Sequence, residues 1–126
     1  MSQSEDEEIN MAAWILGVKN LSIQPYPLPS LGPHDVTIRI KAVDICGSDV
    51  HYYKTMGCAN FIANKPMVLG HECAGIVQEL GTQVQSLAVG DRVALEPGIS
   101  CQTCNFCKGH TKDNDYGLAG EKWFFL

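Results

Sequence analysis

Between residues 36 and 42 the apolar Val36, Ile38, Ile40 and Ala42 alternate with Thr37, Arg39 and Lys41, a period of two that only a strand with one buried face satisfies. Such a strand needs partners. Residues 13–18 and 21–24 are short strand candidates around Lys19-Asn20, where the Asn tolerates a tight turn. Residues 73–80 and 92–95 are two more, separated by Gly81 and a Val89-Gly90-Asp91 turn. Pro25, Pro27 and Pro29 force an extended, non-helical connection before the alternating stretch. Helical periodicity is nearly absent, apart from a short segment at about 49–56 that Ser48 is placed to cap. The expectation is a mainly β domain with one or two short helices and no repeats.

A chain of 126 residues has room for one core. Residues 1–10, which include Glu5-Asp6-Glu7-Glu8, read as a disordered acidic tail too polar to repay the entropy of ordering. The formal net charge of -5 argues against a nucleic acid partner, whose phosphates demand a basic face. No apolar stretch approaches the ~20 residues that span a bilayer, so no membrane partner is expected. The acidic start excludes a basic leader. The six cysteines are therefore expected to be free or metal-bound in a reducing compartment, and the protein to be cytoplasmic.

Two of those cysteines lie in segments with further chemistry. Ile45-Cys46-Gly47-Ser48-Asp49-Val50-His51 and Gly70-His71-Glu72 supply a thiolate, an imidazole and a carboxylate, donors that zinc accepts while keeping a position open for substrate. Glu72 serves either as the third donor or as a close charge behind the first two. Asp49 is placed to accept the free ring N–H of His71, fixing its tautomer. Ser48 and His51 form a candidate proton path, hydroxyl to imidazole to solvent. Any one of these residues alone is as well explained by packing or by an ordinary loop. Five such residue types in a seven-residue window, followed by Gly-His-Glu, are not. His34 reads as surface loop, and Met56, Cys58 and Met67 as packing or loop residues.

These residues reach a known pattern. On Ile45-Cys46-Gly47-Ser48-Asp49-Val50-His51-Tyr52, Gly70-His71-Glu72-Cys73-Ala74-Gly75 and the run from Val89 to Gly98, the chain resembles the N-terminal catalytic domain of zinc-dependent medium-chain alcohol dehydrogenases. Within that family it is most similar to the sorbitol (polyol) dehydrogenases. The resemblance implies a GroES-like, partly open barrel over residues 11–109, incomplete in this chain. It implies catalytic zinc on Cys46, His71 and Glu72, a Ser48 to His51 relay, and Tyr52 bordering the pocket of a small polyol. In the complete family enzyme NAD accepts the hydride as a secondary alcohol becomes a ketone.

A second cluster, Cys101-x-x-Cys104-x-x-Cys107, resembles the first three ligands of the structural zinc lobe in that family. The fourth ligand is missing: the family's cysteine falls at Asp115, or at Ala119 on a shifted alignment, with His110 or Asp115 as substitutes. Residues 110–126 read as a divergent tail. No Gly-x-Gly-x-x-Gly follows a predicted strand, so neither a Rossmann domain nor a cofactor-binding residue for NAD is expected here. Two functions follow as expectations. One is the zinc-binding catalytic domain of an NAD-dependent polyol dehydrogenase, inactive by itself. The other is a non-enzymatic zinc-binding or regulatory fragment that associates with full-length subunits.

Overall fold

A computed structural model describes residues 8–98. In chain order the elements are β1 (Met11–Gly17), β2 (Asn20–Pro25), β3 (Val36–Asp44), α1 (Gly47–Thr55), β4 (Gly57–Cys58), β5 (Phe61–Ile62), β6 (Met67–Val68), β7 (Glu72–Leu80) and β8 (Arg92–Ala94). They build two three-stranded sheets, ordered β2-β1-β6 and β3-β7-β8, and a two-stranded ribbon of β4 and β5; every pairing is antiparallel. This is the mainly β architecture expected from the alternation, with sheets that do not close into a full barrel. Strands β4 to β6 escape sequence reading because two residues cannot display a period.

The β1–β2 turn differs from expectation in one detail. Lys19, not Asn20, takes the left-handed conformation, with φ +54°, while Asn20 already pairs with Gly17 as the first residue of β2. The turn is held from outside, since the Lys19 N–H donates to the Tyr53 carbonyl on α1 at 2.7 Å. Before β1, the Asn10 side chain donates to the Tyr26 carbonyl at 3.0 Å, and the Tyr26 N–H returns a bond to the Asn10 carbonyl at 2.9 Å.

Strand β3 shows where an alternation can mislead. Val36, Ile38 and Ile40 are half-buried as expected, but Ala42 is exposed. The register with β7 shifts between Ile40 and Ala42, which leaves Lys41 unpaired as a bulge. One extra residue exchanges the faces of everything beyond it. Accordingly Val43, not Ala42, joins Ile38 and Ile40 in lining a cleft of about 1080 Å³ between the two sheets, with Met11, Ala13 and Val68 opposite.

Close packing is confined to a few side chains. Among the described residues only Ile15, Val68 and Val77 are buried hydrophobics. Ile15 lies beside β6, where the register sets Trp14 against Val68 and Ile15 against Met67. Gly75 on β7 is buried, and the backbone of its neighbouring strand β3 lies close against it: an added Cβ would meet the Arg39 carbonyl oxygen and come within 2.8 Å of Ile38 Cγ2. This close approach brings the ends of β3 and β7, and the side chains just beyond them, to one place.

Candidate metal centre

Strand β3 ends at Asp44, and two residues later Cys46 caps α1 in extended backbone, φ −83° and ψ 153°. The helix thus starts at Gly47, earlier than the Ser48 cap expected from sequence. Asp49 decides this. Its Oδ2 accepts the Cys46 N–H at 3.0 Å, reaching back from the third helical position, while the Cys46 carbonyl accepts the Asp49 and Val50 N–H groups at 3.1 and 3.4 Å. Ser48 therefore sits inside the first turn, and its hydroxyl is left for other work.

The far end of α1 is pinned just as locally. Met56 adopts φ +59° and donates its N–H to the Tyr52 carbonyl at 2.8 Å, the left-handed stop of a helix C-terminus. Thr55 Oγ1 lies 3.1 Å from the His51 carbonyl, which accepts its proton. With Lys19 holding Tyr53, three successive carbonyls at the end of the helix have partners. Helical spacing places Ser48 and His51 one turn apart on the same face, Ser48 half-buried and His51 exposed.

The other ligand segment arrives through Gly70. Its φ of +104° is a conformation that L side chains rarely adopt, and it turns the chain sharply before His71 and the start of β7. His71 Nδ1 then faces Asp49 Oδ1 at 3.6 Å. One carboxylate therefore serves both candidate donor residues: Oδ2 holds the Cys46 backbone and Oδ1 faces the His71 ring. That arrangement turns Nδ1 towards the carboxylate and leaves Nε2 as the candidate donor of His71.

Cys46, His71 and Glu72 offer a sulfur, a ring nitrogen and a carboxylate oxygen that all lie within 4.8 Å of one another. Donors around a tetrahedral zinc are about 3.3–3.8 Å apart, given bonds of about 2.0–2.3 Å. The set therefore fits zinc with a contraction of roughly 1 Å, and its mixed S, N, O chemistry is that of an open catalytic site rather than a closed structural one. No other group of three such side chains converges among the described residues. Cys101, Cys104 and Cys107 lie outside the described residues, as do His110 and Asp115.

Two further groups around the site have shifted acidities. Burial pushes the Tyr52 phenol above its ordinary value, and the charge of nearby Cys58 adds to the shift. Burial likewise pushes the Cys73 thiol up, with the Asp49 carboxylate contributing. A thiol held protonated reacts slowly, so alkylation of Cys73 by iodoacetamide should reach half its limiting rate at a pH above that of an unperturbed cysteine. Peptide-resolved mass spectrometry across a pH series reads this directly; a Cys73 profile matching that of a free cysteine would contradict it. The linkage has a definite sign. The native state keeps this proton when the unfolded chain has lost it, so Cys73 contributes full stability below the ordinary thiol range and loses that contribution as pH rises through the folded value.

Residues 32–122 match the family model described as the alcohol dehydrogenase GroES-like domain. The chain belongs to that family. This GroES-like domain is 62% identical over 125 residues to L-idonate 5-dehydrogenase of Vitis vinifera, an alignment that covers 99% of this chain and 33% of the relative. It is 60% identical to sorbitol dehydrogenase of Arabidopsis thaliana, covering 99% of this chain and 34% of that protein. Among solved structures, L-idonate 5-dehydrogenase of Escherichia coli superposes with a TM-score of 0.69 at 30% identity, over 90% of this chain and 31% of that one. The GroES-like domain thus spans about a third of the length of the curated relatives it matches. No helix among its described residues is long and apolar enough to cross a membrane.

Proposed function

We propose that this chain is the zinc-binding part of the catalytic domain of a cytoplasmic, NAD-dependent polyol dehydrogenase, with Cys46, His71 and Glu72 as the zinc ligands. The observation that carries the reading is the convergence of those three donors beside Asp49, in a chain about 60% identical to an L-idonate 5-dehydrogenase and a sorbitol dehydrogenase. Bound there, zinc supplies Lewis acidity that lowers the pKa of a substrate alcohol towards neutrality.

The chain's own residues then have distinct tasks. Asp49 holds the Cys46 backbone and orients the His71 ring, so both ligands are set before the metal arrives. The Ser48 hydroxyl receives the substrate's proton and hands it to His51, whose exposed ring returns it to water. Tyr52 borders the polyol, and with its acidity suppressed it stays a neutral phenol that can donate a hydrogen bond to a substrate hydroxyl. NAD, the hydride acceptor, belongs to the complete enzyme, and its binding residues are assigned to polypeptide outside this chain.

The purified 126-residue chain is accordingly expected to give no NADH from sorbitol or L-idonate. A chimera in which it replaces the matching third of the Vitis vinifera enzyme should oxidise at least one of them, with activity lost to a chelator and restored by zinc. A folded, zinc-loaded chimera without turnover would sink the reading; so would NADH production by the chain alone.

A further inference from the structure

Asp44 is a charged neighbour of the zinc ligands for which the proposed reaction has no use. In the β3–β7 register it pairs directly with Glu72, and directly opposite residues share a face of the sheet, with Cβ atoms about 4.5–5.5 Å apart. It also precedes Cys46 by two residues, at the end of β3 where the chain leaves the sheet for α1. Asp44 thus has one metal ligand across the ladder and another along the chain. Both Asp44 and Glu72 are exposed, and neither takes an ion pair or a side-chain hydrogen bond among the described residues. Two carboxylates facing each other across a ladder repel, at a cost to the fold.

Resting on the zinc reading above, we propose that Asp44 is a positioning residue of the metal centre: it turns the Glu72 carboxylate towards Cys46 and His71 and favours a divalent cation there. The charge balance supports it. Zinc brings two positive charges, so even against a single thiolate ligand the site is more positive with the metal than without it. A carboxylate beside it favours that change. The same carboxylate works against the metal-free fold, where it faces Glu72 across the ladder. Asp44 should therefore act with opposite signs in the two states, which a purely structural side chain would not do.

The test titrates the 126-residue chain with Co²⁺, counting as signal only the thiolate absorption that Cys46→Ser removes, so that any metal on the second cysteine cluster is excluded. At low ionic strength Asp44→Asn should bind cobalt about three- to tenfold more weakly, a gap that narrows at about 0.5 M salt as screening shortens the reach of the charge. Asp44→Glu, which keeps the charge, should restore most of the affinity. Without metal, Asp44→Asn should melt at a higher temperature than wild type, and zinc should raise its midpoint by less. Equal cobalt affinity of Asp44→Asn and wild type at low salt overturns the proposal, as does a variant less stable in both states. Absence of any Cys46-dependent absorption in the wild-type chain would instead remove the zinc reading, and this inference with it.

Discussion

His71→Ala is expected to lose one equivalent of zinc per chain relative to wild type while keeping its fold. A closed four-ligand zinc site is worth about 10–16 kcal/mol, so one ligand accounts for roughly 3 kcal/mol and its removal for at least a hundredfold in affinity. The fold should survive because the start of α1 and the β3–β7 ladder are both held by groups other than the ring. Asp49 keeps its bond to the Cys46 N–H, which starts α1, and the β3–β7 ladder is made by backbone. Elemental analysis of the gel-filtered variant, alongside its far-UV circular dichroism, reads both halves. Zinc content equal to wild type, with the spectrum unchanged, would rule out His71 as a ligand.

Gly75→Ala should damage the part of the scaffold that holds the site. Its methyl would strike the Arg39 carbonyl and press on Ile38 Cγ2, and the carbonyl, being backbone, cannot move without prising β3 from β7. Overpacking of this kind costs about 1–3 kcal/mol, and where backbone must shift the upper end applies. With so few residues buried among those described, little else holds the sheet. In a domain of this size such a loss lowers the melting temperature by about 10 °C or more. Gly17→Ala is the control, since nothing lies within 4 Å of an added methyl there. A Gly75→Ala midpoint within about 2 °C of wild type would show that the two strands are not clamped as described. Separated strands would also part Cys46 from Glu72, so zinc binding should fall with stability in this variant and in no simple surface variant.

The site was more legible in sequence than the frame that holds it. Cys46, His71 and Glu72 stand out because few residue types ligate zinc, and their grouping needs no knowledge of the fold. Asp49 was legible for the same reason. Its second bond, to the Cys46 N–H, was not, because a cysteine is not an expected helix cap and Ser48 is a better one by propensity. Asp44 carries no motif at all. Only the register that sets it against Glu72 gives it a part in the site.

Sequence alone determined the strand character of residues 36–40, the extended proline segment, the Val89-Gly90-Asp91 turn and the choice of candidate donors, since each depends on side chains a few positions apart. Tertiary structure decided the bulge at Lys41, the exchange of faces beyond it, the two-residue strands β4 to β6 and the close approach of β3 to Gly75. These depend on how far one strand slides along another before its backbone bonds and packing are satisfied together. That balance is struck between residues more than thirty positions apart, as Arg39 and Gly75 are, and no local pattern records it.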